Sequence, residues 1–296
     1  MSIFIDQNTK VCVQGITGKE GSFWTKHMIE LGTQVLCGVT PGKEGQFIEG
    51  KPVYNSVKAA VEHHGIDASM LFVPPRLTKD AVMEALDAGI KKIVTIADGI
   101  PLHDMVLIRQ AAKEHNAFVV GGNTSGVISP KLAMMGSFPH WIERVYKKGN
   151  IGVMTRSGSL TNEVTAMIVE AGYGVSTLIG VGGDPVPGTR FAEFLPLYEA
   201  DKETEAIVII GELGGTMEEE VADAIKEGIL TKPLVAFLGG RTAPKGQKMG
   251  HAGAIISGGK GSVEDKITAL TEVGALVAER PRLVGKLLEK LNVAKK

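Results

Sequence analysis

The sequence predicts an α/β protein of two domains, each a mostly parallel sheet flanked by helices. Three observations carry that prediction. Short β-branched runs alternate with helical patterns through most of the chain. Almost every run ends in a glycine-rich or turn-forming loop. The rhythm lapses once, near the middle, and then resumes. A length of 296 residues allows two domains of ordinary size, although a single eight-stranded barrel has the same length. With 32 basic and 33 acidic side chains there is no overall field to draw nucleic acid or an anionic membrane. Any affinity for phosphate is therefore local. The two cysteines, Cys12 and Cys37, lie in apolar runs, which suits buried free thiols in a reducing compartment. The N-terminus lacks the composition of a leader, no apolar run reaches membrane-spanning length, and no metal-ligand spacing is present. A cytoplasmic protein is the expectation.

In the first half, strands are predicted at Lys10–Gln14, Thr33–Val39, Ala68–Val73, Lys91–Ala97 and Ala117–Val120. Between them, Thr78 to Leu86 places Ala81, Val82, Ala85 and Leu86 on one helical face before Gly89. Ligands of such sheets bind beyond the carboxyl ends of the strands, so the following loops matter most. The first is Gly15-Ile16-Thr17-Gly18-Lys19-Glu20-Gly21, a glycine turn opening a helix, where backbone amides and the helix dipole suit phosphate. Its G-x-x-G-x-x-G spacing is not the dinucleotide fingerprint, and a purely structural strand-to-helix turn is the alternative. The second strand ends in Gly38-Val39-Thr40-Pro41-Gly42-Lys43, with a lysine where an NAD site would place an acid. A ligand carrying extra phosphate is expected there. Loops containing Pro74, Ile96 with Asp98, and Asn123 follow the later strands and aim at the same rim. Taken singly, Asp98 also reads as a helix cap and Asn123 as a turn residue.

From Ile128 to Asn150 the alternation stops, which places a linker there. Strands resume at Ile151–Met154, Ser176–Val181, Ala206–Ile210 and Leu234–Leu238. After Met154 comes Thr155-Arg156-Ser157-Gly158-Ser159-Leu160-Thr161-Asn162-Glu163, whose hydroxyl donors at a helix start form an anion site or an ordinary cap. Glu212, at a strand end, suits the role of an acid that fixes an imidazole tautomer, or that of a glutamate on a solvated edge. His251 stands in a run of small residues from Lys245 to Ser262, with Lys245 and Lys248 upstream. An imidazole so cleared of bulk can be reached by a large charged group, and its neutral form is a nucleophile near pH 7. On composition alone it also reads as a loop histidine in a glycine-rich turn, the commoner case. Ser262 and Asp265 resemble a capping box opening the closing helices.

Laid out together, these loops resemble the α subunit of succinyl-CoA synthetase and its relatives among NDP-forming acyl-CoA ligases, from about Ser2 to the last helix. The resemblance is carried by Gln14 to Gly18, Gly38 to Lys43, Asp98-Gly99-Ile100-Pro101, Ser157-Gly158, Gly182-Gly183-Asp184-Pro185, Gly211-Glu212, Thr242 to Gly246 and Met249 to Ala254. It implies a Rossmann-like CoA-binding domain over residues 1–128, a linker over 129–150, and a flavodoxin-like ligase domain over 151–296. It also implies CoA contacts from Gly15, Thr17, Gly18, Lys19, Gly21, Val39, Pro41, Lys43, Pro74, Ile96 and Asp98. His251 would carry a phosphoryl group, oriented by Glu212, with Ser157, Gly158 and Ser159 binding its phosphate. No nucleotide-binding domain is evident in the sequence, so ATP or GTP and Mg2+ would sit mainly on a separate ATP-grasp β subunit, in an αβ or (αβ)2 assembly.

The substrate expectation rests on departures from the family pattern. Ser159-Leu160-Thr161-Asn162-Glu163 stands where succinate-specific members have Thr-Leu-Thr-Tyr-Glu, and it resembles the Ser-Asn-Glu of ATP-citrate lyase. Asn123-Thr124-Ser125-Gly126 replaces Asn-Cys-Pro-Gly, and Asp98 is one methylene shorter than the usual glutamate. Exchanging tyrosine for asparagine opens space and adds amide donors and acceptors. Asn162 and Asn123 are thus expected to contact the acid, with citrate favoured, succinate next and malate third. A CoA-binding regulator without chemistry is the alternative from a different class. The retention of His251, Glu212 and the Ser157 loop argues against it, and Lys43 argues against an NAD-dependent dehydrogenase.

Overall fold

The computed structural model describes residues 3–241, 251–254 and 261–295, so the Thr242 to Gly250 part of the histidine motif lies outside the described residues. The chain divides into two compact units: residues 4–138 with 186–189 form the first, and the remaining described residues form the second.

In the first unit the strands are β1 (Lys10–Gln14), β2 (Gln34–Val39), β3 (Phe47–Ile48), β4 (Lys51–Tyr54), β5 (Ala68–Leu71), β6 (Lys92–Thr95) and β7 (Phe118–Val120). Their order across the sheet is β3-β4-β2-β1-β5-β6-β7, parallel except for the β3–β4 pair. β1 has four of its five residues buried, as a strand covered by helices on both faces must. Its neighbours lie on opposite sides, β2 in register Gln14↔Val39 and β5 in register Gln14↔Leu71. The strand order therefore reverses at the carboxyl end of β1, which is where a crevice opens in such sheets. Helices α1 (Lys19–Leu31), α2 (Val57–His64), α3 (Thr78–Asp87) and α4 (Leu102–Glu114) complete this layer. α1 starts after Gly15, which holds φ +76°, and a Cβ there would sit 2.3 Å from the Phe72 carbonyl oxygen. Cys12 and Cys37 are free and buried, and burial pushes their thiols up to about 11 and about 12.

The stretch expected as a linker carries ordered structure. β8 (Gly126–Ser129) and β9 (Ala133–Gly136) form an antiparallel hairpin. The Thr33 hydroxyl donates to the Met134 carbonyl and accepts the Met134 N–H, both at 2.8 Å. Four-residue strands around a tight turn carry too little periodicity to be read from sequence. The same holds for β3, of two residues, and for β4, which contains Pro52.

The second unit contains β10 (Lys148–Thr155), β11 (Val175–Gly180), β12 (Ala206–Glu212), β13 (Leu234–Gly239) and β14 (Leu276–Ala278), all parallel in the order β14-β13-β12-β10-β11. That is the flavodoxin order, with its reversal at the end of β10. Thr155 pairs with Gly180 on one side and with Ile210 on the other. The loops after β10, β11 and β12 consequently leave from one edge. The helices are α5 (Gly158–Glu170), α6 (Phe191–Ala200), α7 (Met217–Lys226), α8 (Val263–Glu272) and α9 (Val284–Lys290). α8 is capped by Ser262, whose hydroxyl accepts the Asp265 N–H at 3.1 Å. Among the described residues no helix is long and apolar enough to cross a membrane.

Tyr198 on α6 is fully buried beneath this sheet, and its hydroxyl lies 2.9 Å from the Val153 carbonyl and 3.1 Å from that of Thr177. Tyr198→Phe removes the donor shared by these carbonyls and is expected to cost about 1–2 kcal/mol. The check is a lower urea midpoint at unchanged m-value.

Candidate functional site

The switch-point edge of the second unit gathers His251, Glu212 and Arg156. β12 runs two residues past Ile210, the partner of Thr155, and so carries Glu212 beyond the end of β10. Its carboxylate oxygen Oε2 lies 2.8 Å from His251 Nδ1. The imidazole packs on Gly183 in the loop after β11, where a Cβ would meet the ring Cγ at 2.4 Å. Only glycine leaves room for the ring at that point. The Gly253 N–H donates to the Gly183 carbonyl at 3.0 Å, and the Ala254 N–H to the His251 carbonyl at 3.1 Å, which closes the histidine turn against the same loop.

The other Glu212 oxygen, Oε1, faces Arg156 Nη2 at 3.4 Å. Arg156 is 3% exposed, and its Nη1 donates to the Gly214 carbonyl at 2.8 Å. The His251 side chain is 27% exposed and that of Glu212 11%, so the pair is held from behind and open on the imidazole side. The hydrogen bond to Glu212 raises the His251 pKa, partial burial opposes it, the Glu212 charge adds, Arg156 opposes and Asp184 adds. A carboxylate on Nδ1 selects the tautomer protonated there. That tautomer leaves the Nε2 lone pair for a nucleophile's role, and the carboxylate is placed to stabilise a cation formed by substitution at Nε2.

Arg156 is followed directly by the predicted phosphate loop. Ser157 is the N-cap of α5, its hydroxyl accepting the Leu160 N–H at 3.4 Å and lying 3.5 Å from the Ser159 hydroxyl. Ser157, and not Ser159, caps the helix. Gly158 and Ser159 occupy its first turn and are exposed, so the unpaired amides of that turn and the Ser159 hydroxyl face solvent. Asn162, one turn on, accepts the Tyr146 hydroxyl at 2.5 Å and borders a cavity of about 640 Å³ along α5 with Arg144, Glu163, Met167 and Glu170. Burial raises the Tyr146 pKa, which keeps the phenol a donor.

In the first unit, Gly15, Thr17, Gly18, Val39, Pro41 and Pro74 line a cavity of about 410 Å³ at the β1 switch point. Gly18 is the N-cap of α1 without a side-chain cap, so the amides of the first turn remain available. Lys19 and Gly21 lie in that turn but do not line the cavity. Neither do Lys43, exposed in the loop after β2, nor Ile96 and Asp98 after β6. Asp98 does not cap α4, whose N-cap is Pro101. Asn123 adopts φ 52° after β7, and its N–H donates to the Ala97 carbonyl at 2.8 Å. It belongs to the first unit, His251 to the second.

Sequence reasoning assigns no role to Arg156, Gly183 or Glu218. Arg156 reads as one more polar residue of the serine-rich loop, and its partners lie 56 to 62 positions away. Its one signal is an arginine directly after the end of a strand, in a loop otherwise made of small and hydroxyl residues.

Comparison with known proteins agrees with this division. A family model described as CoA binding domain matches residues 6–99, and one described as CoA-ligase matches residues 154–276. The ADP-forming sulfoacetate-CoA ligase subunit SqwL of an Acholeplasma species is 82% identical over 295 residues, covering 100% of both chains. The ADP-forming sulfoacetate-CoA ligase subunit SauD of Bilophila wadsworthia is 67% identical over 98% of this chain and 99% of its own. The ADP-forming succinate–CoA ligase subunit alpha 1 of Archaeoglobus fulgidus is 48% identical over 94% of each. Among solved structures, a Methanosaeta concilii ATP citrate lyase in complex with (3S)-citryl-CoA superposes with a TM-score of 0.87 at 25% identity, over 97% of this chain and 50% of that one. This chain thus spans half the length of that lyase.

The His251–Glu212 contact predicts a defined pH response. The folded pKa of His251 is raised, so its pairing stabilises the fold fully below the unfolded value of about 6.5 and is lost as pH rises through the folded value. In Glu212→Gln the His251 ring should titrate lower by NMR, and the melting-temperature gap to the parent chain should narrow as pH rises through that range.

Proposed function

Because the chain belongs to the succinyl-CoA synthetase α-subunit family of acid–CoA ligases, we propose that it is the α-type subunit of an ADP-forming sulfoacetate–CoA ligase working through a phosphohistidine at His251. The observation that carries the chemistry is the Glu212 carboxylate on His251 Nδ1 at 2.8 Å, with Nε2 left as the nucleophile. In the forward direction Nε2 forms a bond to the γ-phosphorus of ATP as the bond to ADP breaks. Glu212 accepts the Nδ1 proton's hydrogen bond throughout and offsets the cation. A carboxylate oxygen of the acid then takes the phosphoryl group, restoring the lone pair on Nε2. The CoA thiolate attacks the acyl phosphate carbon, and phosphate leaves. Splitting one transfer in this way is the advantage of covalent catalysis.

The residues of the first unit fit CoA. An uncapped helix start at Gly18 beside a cavity of about 410 Å³ suits a pyrophosphate against backbone amides, with Val39, Pro41 and Pro74 as an apolar wall. Lys43, on the loop that carries Pro41, supplies a cation for the additional phosphate. ATP and Mg2+ are assigned mainly to an ATP-grasp β partner, without which the His251 cycle does not start.

The substrate reading moves from citrate to sulfoacetate. Asn162 points toward the lyase, but identity to that lyase is 25%, against 82% and 67% over essentially full length to the two sulfoacetate-CoA ligase subunits. The Asn162 amide oxygen is engaged by Tyr146, which leaves its NH2 group as a donor for an anionic acid. Sulfoacetate presents a carboxylate for phosphorylation and a second, fixed anion. Succinate is the alternative favoured by the 48% identity to the Archaeoglobus subunit.

The test is CoA-dependent ADP formation by the reconstituted complex with sulfoacetate, succinate, citrate and malate at equal concentration. Sulfoacetate should lead by about tenfold or more, a margin of ~1.4 kcal/mol in transition-state binding. Succinate or citrate in front would overturn the substrate assignment. γ-Labelled ATP should leave acid-labile, base-stable phosphate on this chain. His251→Asn should abolish that label, and Glu212→Gln should slow its formation on the order of 10²-fold. Label retained in His251→Asn would remove the phosphohistidine from the mechanism.

A further inference from the structure

The fold divides the acidic run that opens α7. Glu220 pairs with Arg190 at 2.6 Å near the surface, while Glu218 is fully buried against an equally buried Lys266 of α8. Glu219 lies 3.2 Å from the same ammonium. Glu218 reaches under the end of β12, past Gly211, where a Cβ would sit 2.3 Å from its Oε1. That oxygen accepts the backbone N–H of Glu212 at 3.2 Å and stands 3.5 Å from Arg156 Nη1. Its other oxygen takes the Lys266 ammonium. A continuous path therefore runs from the buried Lys266 through Glu218 and Arg156 to Glu212 and the partly exposed His251.

Burying ions on this scale is costly, and apolar replacements of similar shape are often as stable or more so. Stability alone is thus a poor account of three charged side chains that are each 3% exposed or less. Their geometry has a more specific consequence. Arg156 stands between two carboxylates, 3.4 Å from Glu212 Oε1 and 3.5 Å from Glu218 Oε1. With its charge divided, Glu212 keeps enough negative charge on Oε2 to hold the imidazole.

We propose that Glu218, seated by Lys266, is a positioning residue for the His251–Glu212 pair: it clamps the end of β12 through the Glu212 N–H and shares Arg156 with Glu212, so that one Glu212 oxygen is anchored and the other is aimed at Nδ1. The proposal deepens the phosphohistidine reading and rests on it for its role in turnover. Among the described residues, the charged groups facing the imidazole are Glu212 from β12, Arg156 from the loop after β10 and Asp184 from the loop after β11. Behind them stand Glu218 and Glu219 from α7 and Lys266 from α8. Neutralising Glu218 leaves Arg156 to Glu212 alone, weakens the hold on the ring and moves its deprotonation to lower pH.

The experiment is Glu218→Gln in the full chain, since the amide oxygen still accepts the Glu212 N–H while the charge is gone. The His251 ring is titrated by NMR, its resonance assigned with His251→Asn, and the midpoint should fall by about half a pH unit or more. In the complex with the β partner, the acid limb of phosphohistidine formation should move the same way. kcat should fall by about tenfold or more with KM for the acid within about threefold. Glu218→Gln/Lys266→Met removes both charges of the fully buried pair, so that the ammonium is not left with Glu219 as its one carboxylate, and guards against loss of the fold; it should keep the shifted midpoint. An unmoved His251 midpoint in either folded variant, or full recovery in the double variant, overturns the proposal. A shifted midpoint in a chain that never forms phosphohistidine would instead leave the positioning intact and remove the function reading it serves.

Discussion

Everything at the candidate active edge depends on the two-sided use of the Glu212 carboxylate. One oxygen meets His251 Nδ1 at 2.8 Å, the other faces Arg156 at 3.4 Å. A carboxylate bound to imidazole alone would be free to rotate, and one bound to guanidinium alone would lose its hold on the ring. Held between them, it fixes the tautomer and the plane of the histidine together. The buried side supplies the rigidity and the exposed imidazole side the access, a division that a residue at the very end of a strand can provide.

The sheet explains why such a residue is available. β10 is flanked by β11 and β12, so three loops leave from one edge at the reversal of strand order. Each brings one part: Arg156 and the α5 N-terminus, Gly183 beneath the ring, and Glu212 beside it. The first unit repeats the device with different contents. Its reversal at β1 opens onto glycine, threonine and proline residues and an uncapped helix, which suits the phosphates of a ligand and not covalent chemistry. One architectural rule thus opens a crevice in one unit and presents the proposed nucleophile in the other.

Much of this was legible in the sequence. The alternation of apolar runs and helical patterns marked β1 with identical bounds and the other long strands within a few residues, because strands buried on both faces must be apolar throughout. His251 and Glu212 stood out because small residues and strand-end acids are local signals. The hairpin of β8 and β9 did not, since its position is set by Thr33 bonding Met134 across 101 positions. Nor did the capping of α5 by Ser157, where two serines two positions apart compete and backbone geometry decides between them.

Residue types in the sequence are enough for the α/β class, the order of the CoA-binding and CoA-ligase regions and the family, and they single out His251 and Glu212 as the candidate pair. All of these follow from residue types in local patterns. What stands behind them is set by tertiary packing. Arg156, Glu218 and Lys266 read as unremarkable charges in a chain with many, and Glu218 looks like one of three adjacent acids. Their burial, and their convergence beneath β12, comes from packing α7 and α8 against one sheet edge. Long-range pairing of buried charge depends on distances that no local pattern encodes.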